Sequence, residues 1–132
     1  MGLIRFTNWE SILNQKIEES KSLQFEYGKN DCTIWASDII RSYTNLDWRA
    51  TWKNKTQALR EHSKMPMEEQ VNLVLGPYSK NILFTRRGDL VQKDIGIDAK
   101  LGICLGGKVA FLQEGTGIRF FNLKECIYSW RI

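Results

Sequence analysis

Apolar residues recur at helical spacing early in the chain and give way to strand-like alternation toward its end. Trp9, Ile12, Leu13 and Ile17 share one stripe with charged residues opposite, which predicts a helix ending near Ser20–Ser22. Thr7 or Asn8 can cap it, and Glu10 stands three residues after Thr7 as in a capping box. Leu23 to Tyr27 alternates apolar with polar, and Gly28, Lys29 and Asn30 break the chain. Asp31 is a good N-cap residue. After it, Ile34, Trp35, Ile39, Ile40 and Tyr43, with the small Ala36 beside them, predict a helix buried along one flank and ended near Asn45.

Residues 47–80 read as helical with interruptions. Thr56 to His62 suits a short exposed helix, and Pro66 suits the first turn of another over Met67 to Leu75, closed by Gly76 and Pro77. Low apolar content ahead of Pro66 marks 47–80 as a peripheral helical insert. From Arg87 onward the pattern becomes that of strands. Gly88 to Val91 starts one after a turn. Leu101 to Leu105 is a second, Gly106-Gly107 a tight hairpin turn, and Lys108 to Leu112 the returning strand. Gly115 to Gly117 turns the chain into Ile118 to Phe121, and Cys126 to Ile132 has strand-like content. Helices first and an antiparallel sheet afterwards make the expected class α+β rather than alternating α/β.

At 132 residues, with 42% hydrophobic and 26% charged, the chain is expected to fold as a single domain, 1–132, without help from disulfides. Net charge is +4, but acidic residues interleave with basic ones throughout, so no dedicated nucleic-acid surface is expected. Three cysteines cannot all pair within the chain, and His62 is the only histidine, so neither a zinc site nor any other metal or cofactor is expected. No apolar run is long enough to span a membrane, and the first residues lack a leader's apolar core. These features predict synthesis in the cytoplasm, with carriage elsewhere only as part of a larger assembly.

The candidate chemistry lies in Tyr27-Gly28-Lys29-Asn30-Asp31-Cys32. A thiol in the first turn of a buried helix meets backbone N–H groups and the positive end of the helix dipole, which lower its pKa and can hold an oxyanion. Gly28 would let a substrate backbone approach, and Tyr27 and Trp35 are candidates to line the groove. Cys104 and Cys126 fall on apolar strand patterns and read as packing.

The order of these segments resembles the NlpC/P60 superfamily of papain-like cell-wall hydrolases. The likeness rests on Gly-x-x-Asp-Cys opening a helix (Gly28 to Cys32), Gly-Asp-Leu-Val (Gly88 to Val91) and Leu-Gly-Ile-x-Leu-Gly (Leu101 to Gly106). Over nearly the whole chain it is more closely similar to small phage and prophage proteins associated with tail genes. Those carry a Trp/Tyr-Gly-x-x-Asp-Cys motif, an Arg-Gly-Asp strand, a Leu-Gly-x-x-x-Gly-Gly hairpin and a terminal Ala/Ser-Trp-Arg-Val/Ile. Here they stand at Tyr27 to Cys32, Arg87 to Asp89, Leu101 to Gly107 and Ser129 to Ile132.

The resemblance implies a papain-like fold with Cys32 at the nucleophile's position, but Lys100 stands where those enzymes keep a histidine base. Without an imidazole to take the thiol proton and return it to the leaving amine, turnover falls by on the order of 10³-fold or more. His62 falls in the expected insert, and Asp31 and Asp89 suit caps and turns better than proton transfer. Lys100 would need desolvation to act as a base, and a neighbouring thiolate would oppose that. The reading that follows is a phage tail structural or assembly protein with a degenerate hydrolase site, partnered by tail or tail-tip proteins. One alternative is an active cysteine peptidase or amidase on peptidoglycan peptides. Another is a peptide- or glycan-binding module using Trp35, Trp48 or Trp52.

Overall fold

The computed structural model describes residues 3–26, 31–48, 60–61, 64–96, 99–114 and 117–132. Among these, three α-helices precede a five-stranded antiparallel sheet, so the fold is α+β. The helices are α1 (Trp9–Ser20), α2 (Cys32–Tyr43) and α3 (Met67–Leu75). The strands are β1 (Leu90–Lys93), β2 (Lys100–Cys104), β3 (Lys108–Gln113), β4 (Gly117–Asn122) and β5 (Tyr128–Trp130). They lie in the order β4-β3-β2-β1-β5, so the last strand returns to pair with the first.

Alternation along each strand sorts side chains between two cores. Leu90, Leu101, Ile103, Ala110, Leu112 and Trp130 pack with Leu13 and Ile17 of α1 and Trp35, Ile39, Ile40 and Tyr43 of α2. Their neighbours Val91, Cys104, Val109 and Phe111 face the opposite side and, with Cys126, form a smaller cluster joined by Ile82, Phe121 and Leu123. Fully burying a large apolar side chain contributes about 1.5–3 kcal/mol, so the larger cluster under the helices carries most of the fold's stability.

Local details depart from the sequence pattern where tertiary contacts decide. Asn8 occupies the cap of α1 without a side-chain hydrogen bond, so the expected capping box is not formed there. A capping box does occur later, between Asn122 and Glu125 around a 3₁₀ turn (Leu123–Glu125), and it delays the last strand to Tyr128. Helix α2 stops at Tyr43 rather than near Asn45. Thr44 adopts an extended backbone, bridges to Arg5, and turns its hydroxyl back to the Ile40 carbonyl at 2.8 Å.

The larger correction concerns 47–80. Helix α3 begins just after Pro66 as expected, but it is not peripheral: Met67 and Val71 are buried in the main core, and Leu75 and Tyr78 pack against it. Its Asn72 accepts a 2.9 Å hydrogen bond from the Trp130 indole, and Ser79 bridges to Ser129 beyond β5. The helix therefore closes the β5 side of the sheet. Low apolar content before Pro66 says nothing about the residues after it. The expected helix from Thr56 to His62 lies mostly outside the described residues, as does the centre of the turn at Gly115 and Thr116.

Two polar anchors position the sheet against the helices. The Tyr43 hydroxyl, buried at the end of α2, donates to the Gly88 carbonyl at 2.5 Å. Asp89 is buried immediately before β1. Its carboxylate accepts from the Arg5 guanidinium (2.9 Å), the Arg86 N–H (2.9 Å) and the Ile132 N–H (3.0 Å). Both ends of the chain are thereby tied to the start of the sheet, and Asp89 serves as the turn-fixing residue that the sequence suggested.

Candidate functional site

The start of α2 builds the site. Asp31 has an extended backbone, and its carboxylate accepts from the Ile34 N–H at 3.0 Å, the geometry of an N-cap. This carboxylate is buried and committed to the helix. Cys32 follows as the first helical residue and is half-buried.

Packing of α2 over β2 and β3 sets Cys32 against the beginning of β2. The thiol receives a hydrogen bond from the Leu101 backbone N–H and feels the charge of the Lys100 ammonium. Its sulfur lies 3.8 Å from the Thr33 hydroxyl, which in turn meets the Met67 sulfur at 3.7 Å. The structure thus brings Asp31, Cys32 and Lys100 together from two separate elements.

The electrostatics run against an activated nucleophile. Burial pushes the Cys32 pKa above its ordinary value, and the nearby Asp31 carboxylate adds to the rise. The Leu101 N–H, the Thr33 hydroxyl and Lys100 pull it down but do not win. The helix start was expected to lower the pKa; desolvation of the sulfur outweighs that effect. The thiol is therefore protonated at neutral pH. Lys100 sits 3.7 Å from the Asp94 carboxylate, which Lys93 also approaches at 3.3 Å.

Residues 4–132 match the model of a family described as a domain of unknown function, DUF6950. The chain belongs to the DUF6950 family. No curated protein matches it.

Other expected site residues of this DUF6950 chain fare differently. Trp35 does not line a groove: it is 3% exposed in the main core, and its indole N–H donates to the Ser20 hydroxyl at 2.9 Å. It belongs to the helical stripe, where packing against α1 and the sheet claims the ring. Trp48 is half-buried against the same core. Tyr27, Gly28, His62 and Trp52 lie outside the described residues. Cys104 and Cys126 are buried in the smaller cluster, as the strand pattern implied, and burial pushes Cys126 up to about 12. Among the described residues no group of acidic, cysteine and histidine side chains is placed to hold a metal ion, and no helix is long and apolar enough to cross a membrane.

One neighbour of the DUF6950 site escaped sequence reasoning. Gln92 is wholly buried on β1 directly opposite Leu101, the residue whose N–H meets Cys32. Its amide donates to the Glu68 carboxylate at 3.0 Å and to the Asp94 carbonyl at 3.1 Å, while its own oxygen has no partner among the described residues. The signal was present: in Leu90-Val91-Gln92-Lys93 a polar residue stands at a position that alternation assigns to the helix-facing core. Glu68, its partner, carried no such mark, because an acidic residue in a helix's first turn suits the macrodipole without further explanation.

Proposed function

We propose that this DUF6950 protein is a phage or prophage tail structural or assembly protein, built on a papain-like, NlpC/P60-like frame whose cysteine-hydrolase site is degenerate. It would be made in the cytoplasm and carried in the tail, with tail or tail-tip proteins as partners. The family resemblance of the four motifs supports the tail assignment. The element order, with a cysteine-headed helix packed on an antiparallel sheet, is what such a frame requires.

One observation carries the degenerate reading: the thiol at the head of α2 is pushed up by burial and faces a lysine paired to a carboxylate. Thiol hydrolysis needs a thiolate to attack the carbonyl carbon and a proton for the departing amine. The sulfur is protonated, and the lysine beside it is paired to Asp94; no imidazole stands beside it among the described residues to take up its proton. Asp31, capping the helix with its carboxylate, cannot serve either.

The test uses the full chain and its Cys32→Ser variant. We expect no release of peptides from peptidoglycan fragments by either protein. Removing the thiol should change stability by no more than about 1 kcal/mol, since a hydroxyl can still accept from the Leu101 N–H. Capture of tail proteins from a phage-producing lysate should be equal for the two. Robust hydrolysis that disappears with Cys32→Ser would establish an active peptidase or amidase instead.

A further inference from the structure

At the far end of α2, roughly 16 Å from Cys32 along the helix, lies a cavity of about 400 Å³ that the proposed function does not use. Arg5, Arg86, Arg87 and Arg131 line it together with Trp9 and Ile132. That volume falls in the range of sites that hold an organic group rather than a lone ion.

Its charges are unevenly matched. Arg5 is fixed on three sides, donating to the Ile132 carbonyl (2.9 Å), the Arg87 carbonyl (2.8 Å) and the Asp89 carboxylate (2.9 Å), while its guanidinium stacks 4.2 Å over the Trp9 ring. Arg87 donates to the Leu105 carbonyl at 2.8 Å and to the Asn14 side-chain oxygen, both neutral acceptors, so its charge is held in place without being neutralised. Arg86 and Arg131 are exposed, and their side chains have no partner among the described residues. Against four guanidiniums the lining offers the carboxylates of Asp89, already spent on Arg5 and two backbone N–H groups, and of Glu10, together with the terminal oxygens of Ile132, one of which Arg5 already holds.

We infer that this cavity receives the carboxylate side chain of an acidic segment on a partner polypeptide. Planar guanidiniums match a carboxylate in bidentate geometry. Two of the four are immobilised before binding, so little side-chain freedom remains to be lost. The indole of Trp9 supplies an apolar wall for the methylenes of a Glu residue and an apolar neighbour, which a bare inorganic anion would leave unused. Glu10 in the lining disfavours a phosphate dianion relative to a carboxylate. The inference stands independently of whether Cys32 is active.

The test is an NMR titration of the isotopically labelled full chain with the blocked peptide Glu-Leu-Glu, at constant ionic strength maintained with chloride. Glutarate and inorganic phosphate are the comparison ligands. The expected result is saturable movement of the Trp9 indole and Arg5 side-chain N–H signals by the peptide. Affinity should be at least tenfold weaker in the double variant Arg86→Gln/Arg131→Gln, whose remaining spectrum should be unchanged because neither side chain supports the fold. Linear shifts without saturation, or equal affinity in the double variant, would overturn the proposal. Equal or tighter binding of glutarate would assign a free dicarboxylate, and tighter binding of phosphate a phosphorylated ligand. Either result also overturns it.

Discussion

Replacing Asp89 with Ala is expected to destabilise the protein by about 3–5 kcal/mol, the usual cost of removing one partner from a buried ion pair. For a chain of this size that lowers the melting temperature by roughly 10–20 °C. The loss has several parts. Arg5, whose side chain is only 19% exposed, keeps its charge and loses its counter-ion. The N–H groups of Arg86 and Ile132 lose their acceptor at the same time. An unsatisfied buried donor costs about 1–3 kcal/mol, so the backbone groups alone are enough to make the change severe. Asp89→Asn retains an oxygen for part of this work and should fall between wild type and Ala. Thermal unfolding followed by circular dichroism checks both. A shift of only a few degrees for Asp89→Ala would mean that the two chain ends are not held through this carboxylate.

A second substitution of comparable effect is Gly102→Val. An added Cβ at Gly102 would stand 2.5 Å from the Ala110 carbonyl oxygen and 2.7 Å from the Phe111 ring. Rings can rotate away, but the carbonyl belongs to β3 and is held by the sheet. The strands must therefore separate, and overpacking of this kind costs about 3 kcal/mol at the upper end of its usual range. The damage should reach the site, because Leu101 is the adjacent residue and its N–H is what meets Cys32. Denaturant unfolding should show the lost stability. Truncating Phe111 to Ala in the same chain should restore only the part due to the ring, giving non-additive energies. Full recovery would mean that the carbonyl contact does not matter.

The helices and the hairpin were legible because local pattern and tertiary environment agree there. Asp31 caps α2, the stripe from Ile34 to Tyr43 is buried, and Gly106-Gly107 joins β2 to β3. Reading failed where a long-range partner decides. Helix α3 looked peripheral because the stretch before Pro66 is poor in apolar residues; the burial of Met67 and Val71 depends on a sheet edge far along the chain, where Trp130 lies 58 residues beyond Asn72. Trp35 looked available because an aromatic residue near a cysteine suits either a groove or a core, and spacing alone does not tell them apart. For Cys32 the position at the helix start was readable, but its enclosure was not. The rise in its pKa comes from desolvation, while its β2 neighbours Leu101 and Lys100, far away in sequence, pull it down without winning. Arg5 illustrates the same limit: a basic residue ahead of α1 with no mark in the sequence bonds to Arg87, Asp89 and Ile132, far away along the chain.

The claim that the site is degenerate is tested most directly by the alkylation rate of each cysteine against pH, read by mass spectrometry on the native protein. A pKa raised above the ordinary thiol value of 9.0 means that the reactive thiolate appears only as pH climbs past that value. Cys32 should therefore be nearly as slow as Cys104 and Cys126 at neutral pH, with its rate rising only in the alkaline range. Fast alkylation of Cys32 with an apparent pKa well below about 8, the mark of an activated thiol, while the other two stay protected, would contradict the account and make the hydrolase reading the better one.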